Sequence, residues 1–193
     1  MQRKYIIRQR RISYRESDIS LKNELHYGTI HLYILEFVGE RGFEVAVKTL
    51  ETERLILRDW TLEDIGCQVY DEKVIRYLIS VKNNYAVVLK ENGMVIGTIG
   101  LNEDADDNPD TRNVGIRMLE QYRNRGLMSE AIECVIHNAN NITKTLSYLC
   151  MVEDKRSQHI AEKFGFQFVK TFYKVQKAAS DEPKDFYYYK LEL

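Results

Sequence analysis

Apolar residues at Met128, Ala131, Ile132, Val135, Ile136 and Ala139 fall at i, i+3, i+4, i+7, i+8 and i+11, which predicts a helix with one continuous apolar stripe. A second helical pattern carries Ile160, Ala161 and Phe164 and stops at Gly165, a residue suited to the left-handed conformation just past a helix end. Thr61-Leu62-Glu63-Asp64 opens a third, broken helical stretch reaching Leu78, with Thr61 as cap and the acids at the positive end. Between these lie short apolar runs of strand length: 54–58, 85–89, 94–101, 113–119, 146–152, 166–173 and 186–193. Asn92-Gly93 between the second and third of them predicts a hairpin, because Asn-Gly supplies the positive φ angles that a hairpin turn needs. The polar loop 102–111 holds five carboxylates, Glu103, Asp104, Asp106, Asp107 and Asp110, and reads as a solvated connection. The order is mixed α and β without an internal repeat.

The first 49 residues differ. Arg3, Lys4, Arg8, Arg10, Arg11 and Arg15 crowd the start, and Thr29–Val38 with Phe43–Thr49 around Gly39-Glu-Arg-Gly42 predict a further hairpin. So short a piece rarely builds its own core, so residues 1–49 are expected to be a strand-rich extension packed on a domain formed by residues 50–193.

Composition narrows the class. A length of 193 residues with 44% hydrophobic and 30% charged side chains is that of an ordinary globular domain and excludes disordered, collagen-like and coiled-coil chains. A net charge of −1 supplies no global attraction for nucleic acid or acidic membranes, so an anion site must be built locally. No motif accompanies the basic N-terminus, and nucleic acid is not the expected partner. Cys67, Cys134 and Cys150 lack metal-ligand spacing, which points to a metal-free protein of a reducing cytoplasm. No apolar run approaches the ~20 residues that span a bilayer, so no membrane partner is expected.

The chemistry concentrates in Val114-Gly-Ile-Arg-Met-Leu-Glu-Gln-Tyr-Arg-Asn-Arg-Gly-Leu-Met-Ser-Glu-Ala131, a strand leading through a basic turn into the amphipathic helix. Unpaired amides at the helix start, the positive end of its dipole, Arg123 and Arg125 would together cradle a phosphate or pyrophosphate. The same features also suit a plain strand-to-helix connection.

This stretch resembles the GNAT superfamily of N-acetyltransferases, most closely its RimJ/RimL type. The family's acetyl-CoA loop, Gln/Arg-x-x-Gly-x-Gly/Ala, is matched by Gln121-Tyr-Arg-Asn124-Arg-Gly126. A second signature, Asn-x-x-Ser before a helix ending Glu-Lys-x-Gly-Phe, is matched by Asp154-Lys-Arg-Ser157 and Glu162-Lys-Phe-Gly-Phe166, and Leu50–Arg58 resembles the usual start. The likeness covers about residues 50–193 and implies an α/β (α+β) fold, a mixed, mostly antiparallel sheet flanked by helices. Two residues depart from the pattern. Asn124 replaces a glycine, but Asn is the non-glycine residue that best tolerates positive φ. Asp154 replaces an Asn, exchanging a donor and acceptor for an acceptor-only anion.

The resemblance implies acetyl-CoA as cosubstrate, held by Met118, Leu119, Gln121, Arg123, Asn124, Arg125, Gly126, Leu127, Met128, Asp154 and Ser157. It implies direct attack by a primary amine, on a protein N-terminus or a small molecule, upon a thioester carbonyl polarised by a backbone amide near Met118 and Leu119. The amine must lose a proton, for which Glu103, Asp104 and Glu153 are candidates, Glu103 foremost, each also readable as a surface acid. Family members often use a tyrosine to protonate the thiolate, and here that position is Ala161. Ser157 could serve the sulfur instead, or be only a helix cap. Tyr187-Tyr-Tyr189 alternates faces, with at least one ring in the core, while His137 and His159 read as surface positions. RimL-like chains generally carry a second helix before the hairpin; only Ile79–Asn84 stands there, and the strands of residues 1–49 are expected to cover that side. A non-catalytic acyl-CoA-binding protein on the same fold is the rival reading, and a homodimer is left open.

Overall fold

The computed structural model describes residues 6–13, 44–175 and 182–193. The chain divides into two compact units, one of Met1–Arg8 with Lys48–Leu193 and one of Gln9–Val47. Of the smaller unit, the described residues belong to strands β1 (Ile6–Ser13) and β2 (Glu44–Glu51). The strand expected at Phe43–Thr49 is therefore present as β2, whereas the one expected at Thr29–Val38, and with it the packing expected of residues 1–49, lies outside the described residues.

The larger unit is built on a sheet in the order β2, β3 (Leu55–Asp59), β4 (Asn84–Leu89), β5 (Val95–Glu103), β6 (Thr111–Met118), β7 (Thr145–Met151), β9 (Lys184–Glu192), β8 (Gln167–Val175). All its neighbours pair antiparallel except β6 and β7, which are parallel. That pairing involves only Thr111–Asn113 with Thr145–Ser147, so beyond Asn113 and Ser147 the two strands have no ladder between them and a gap opens toward Met118 and Met151.

Strand alternation builds a core on each face. Tyr85, Val87 and Leu89 of β4 join one cluster with Ile99, Val114 and Leu146, covered by α2 (Leu127–Ala139) and α3 (Lys155–Lys163). Ala86 and Val88 face the other way, into a smaller cluster with Trp60, Val69, Ile75 and Leu78 under α1 (Glu72–Ser80). The apolar stripe predicted over 128–139 is the buried face of α2, and Gly165 takes φ 81° just after α3, as its position predicted.

The first helical stretch is not continuous. A single 3-10 turn, Leu62–Asp64, is held by the Thr61 amide donating to Asp64 Oδ2 at 2.9 Å; Gly66 then turns at φ 96°, and α1 starts afresh with Asp71 accepting from the Val74 amide. Capping chemistry marked the start correctly but says nothing of how far a helix runs. Between α1 and β4 stand only Val81–Asn83, so no second helix precedes the hairpin.

Candidate active site

The gap between β6 and β7 continues into a cleft of about 610 Å³ walled by the end of β6, the turn after it, and the N-terminal ends of α2 and α3. The turn from Leu119 makes a 3-10 segment, Glu120–Tyr122, then reaches α2 through Asn124 at φ 61° and Gly126 at φ 73°. Both motif positions are left-handed, and Asn124 adopts the conformation inferred for it from its side-chain chemistry. The first backbone bond of α2 runs from Glu130 N to Gly126 O at 3.1 Å, leaving the amides of Leu127, Met128 and Ser129 aimed off the helix end. With Arg123 and Asn124 in the same wall, this is the chemistry that binds a phosphate. The phosphates of acetyl-CoA fit it.

Two residues outside this segment shape it. Glu130, 7% exposed, accepts from the Thr52 hydroxyl, from the Arg54 amide at 2.8 Å and from Arg54 Nε at 2.7 Å. Burial alone would push this carboxyl up; the bonds from Thr52 and Arg54 outweigh it and hold it below its usual range. The guanidinium's other branch, Nη1, donates to the carbonyl of Arg125 at 3.0 Å, inside the turn. The family-like start of the domain is thus bolted to the phosphate turn, a link that sequence spacing does not reveal.

At the end of β6 the amide of Leu119 donates to Ile96 O at 2.9 Å and so belongs to the sheet, which removes it as a carbonyl-polarising donor. Successive amides of a strand point to opposite edges, so that of Met118 points into the gap. Arg123 Nε donates to Met118 O at 3.2 Å and steadies this strand end.

Asp154 caps α3, accepting from the Ser157 amide at 3.1 Å and the Ser157 hydroxyl at 2.9 Å. The cap is therefore Asp154, and Ser157 is the residue it holds; Asp and Asn cap about equally well, so the substitution keeps the helix start. These bonds lower the Asp154 carboxyl against the upward pull of burial, and an ionised carboxylate only accepts, so the single hydroxyl proton of Ser157 is committed to it. Burial pushes the Tyr148 hydroxyl up to about 12.

Glu103 is not brought to this place. It pairs across from Arg112 at the far end of β5, six residues from Gly97, the partner of Met118, or ~20 Å along the strand. Glu153 is exposed and outside the cleft walls. Asp104 is no solvated loop residue: it is 7% exposed and accepts from Ser147 at 2.6 Å and Tyr188 at 2.8 Å. Gln121 turns outward to Gln68 at 3.2 Å, and the Arg125 side chain lies over the Tyr122 ring at 5.5 Å. His159 and Arg117, by contrast, line the cleft; a polar helix position and a strand position gave no sign of it. Among the described residues no cluster of three or more His, Cys, Asp or Glu could hold a metal ion, and no helix is long and apolar enough to cross a membrane.

The family model for the acetyltransferase (GNAT) domain matches residues 67–167, slightly more than half of the chain. The chain belongs to the GNAT acetyltransferase family. Its fold is that of an acetyltransferase from Bacillus anthracis (TM-score 0.63, 20% identity, 75% of this chain and 98% of that one). It is also that of RimL, the ribosomal L7/L12 alpha-N-protein acetyltransferase (TM-score 0.62, 11% identity, 77% and 96% covered). A third neighbour is the microcin C7 self-immunity acetyltransferase MccE, solved with acetyl-CoA and AMP (TM-score 0.57, 16% identity, 74% and 94% covered). Identities this low speak for the fold alone. No curated protein matches the sequence.

Proposed function

We propose that this GNAT protein moves an acetyl group from acetyl-CoA to a primary amine by direct attack, without an acyl-enzyme. The observation that carries the reading is the coincidence of the β6–β7 gap with the free helix end and left-handed turn at its mouth. Acetyl-CoA supplies an activated acyl group. The α2 amides and Arg123 hold its phosphates, and the Met118 amide polarises the carbonyl in the gap. The amine nitrogen bonds to that carbonyl carbon as the carbon–sulfur bond breaks; the ammonium proton leaves to solvent or to His159 in the wall, and the sulfur leaves as thiolate. A thiol pKa of ~8.5 makes that a fair leaving group, so Ser157 need not surrender its bond to Asp154.

The non-catalytic reading has one observation in its favour: neither Glu103 nor Glu153 reaches the cleft, and Asp154 is already engaged. Titration with CoA, together with release of free thiol from acetyl-CoA in the presence of N-terminal peptides, polyamines and aminoglycosides, separates the two. Binding with turnover of at least one amine is expected. Binding without turnover would favour the non-catalytic protein, and no binding at millimolar CoA would remove both.

A further inference from the structure

Residues of β6 alternate between the two sides of the gap. Ile116 and Met118 belong to the core beneath α2, the side that presents the phosphate cradle. Arg117 has the opposite parity: it pairs through Thr98 with Ala86, which faces the α1 side. It nevertheless lines the cleft, one residue from the amide aimed into the gap. Its guanidinium is held 4.9 Å over the Tyr70 ring. Among the described residues it has no carboxylate partner.

Further along that face β5 and β6 carry two glycines. Gly115 and Gly100 face each other across β6 and β5. A Cβ on Gly100 would fall 1.9 Å from Asn84 Oδ1, and one on Gly115 2.5 Å from Asn102 Nδ2, so the two glycines give room for carboxamides lying across the strands. A guanidinium stacked on a ring in the cleft wall, with no carboxylate partner among the described residues, is suited to receive an anion, and a planar one, since its donors form a fork.

Resting on the acetyl-transfer reading, we propose that Arg117 determines acceptor specificity, binding a carboxylate on the acceptor close to the amine that is acetylated. Arg117 and Met118 line the same cleft, so an acceptor carrying a carboxylate near its nitrogen would meet both. The carboxylate has two chemical sources, the α-carboxyl of a small amino acid or an acidic side chain next to a peptide N-terminus.

The test uses acceptor pairs differing only in that charge: alanine and β-alanine against their amides, and Ala-Glu-Ala-amide against Ala-Gln-Ala-amide. In the full chain, kcat/KM should favour the charged member of at least one pair by tenfold or more, and the favoured pair names the source. Binding of the corresponding N-acetyl products to the CoA-loaded protein reads the same preference without turnover. Arg117→Gln should bring the ratio to about one, and Arg117→Glu below one, with CoA affinity within twofold of wild type. Equal values within every pair, a preference that survives in Arg117→Gln, or no binding of either product overturns the assignment. Loss of CoA binding by the unmodified protein would instead overturn the acetyl-transfer reading.

Discussion

Glu130 and Asp104 are both buried carboxylates, each 7% exposed, and both are held below their usual range by hydrogen bonds that outweigh burial. They differ in partners and in place. Glu130 sits in the first turn of α2 against a guanidinium, which continues to the Arg125 carbonyl in the phosphate turn. Asp104 is met by two hydroxyls, of Ser147 and Tyr188, where β6 and β7 still pair, below the gap. The first tethers the turn before α2 to the start of β3; the second seals the closed end of the sheet. Similar carboxylates thus fix a turn at the mouth of the cleft in one region and close the sheet in the other, according to what their partners are attached to.

Breaking the closed end should have the largest effect. Asp104→Ala leaves the fully buried Ser147 and Tyr188 hydroxyls without their acceptor, a loss of about 3 kcal/mol at ~1–3 kcal/mol per orphaned group. For a chain of this size that lowers Tm by roughly 6–12 °C, while CoA affinity of the folded variant stays within twofold. A tenfold loss of affinity would show that the two regions are coupled. The acid limb sharpens the point. A carboxyl whose folded pKa is depressed stabilises the fold above its unfolded pKa of ~3.9, and that contribution vanishes as pH falls through the folded value. Scanning Tm from pH 6 to pH 2 should therefore give a shallower fall for Asp104→Asn than for wild type; parallel curves would contradict the assignment.

At the open end, Gly126→Val places a β-branched residue at φ 73° at the mouth of α2. A left-handed side-chain residue costs about 1–2 kcal/mol, and its Cβ would meet only Arg54 Nη2 at 3.6 Å, so the chain still folds. CoA affinity, measured calorimetrically, should fall tenfold or more. An unchanged affinity in a folded variant would separate this turn from cofactor binding.

The smallest expected effect isolates the tether. Arg54→Lys keeps a cation beside Glu130 but has no second branch for the Arg125 carbonyl. CoA affinity should weaken about threefold to tenfold, with acceptor KM unchanged and Tm lowered by only a few degrees. Equal losses in stability and in every kinetic constant would make Arg54 a plain packing residue.

Local features were legible in the sequence because local chemistry determines them: the apolar stripe of α2, the hairpin at Gly93, the ending at Gly165, and the positive φ of Asn124. The phosphate turn could be read in the same way, since a strand, a basic turn and a helix start follow one another along the chain. Tertiary structure decided which acids matter. Glu103 and Asp104 are neighbours, yet one is exposed opposite Arg112 and the other is buried against Tyr188, 84 residues away, because strand parity and the return of the loop send adjacent side chains to different places. Glu130 bonds Thr52 across 78 residues, and Arg117 gains meaning only from the side of the gap on which it emerges. Periodicity reports which residues share a face; it does not report what the rest of the chain brings to that face, and there the choice between a solvated charge, a structural bond and a binding group is made.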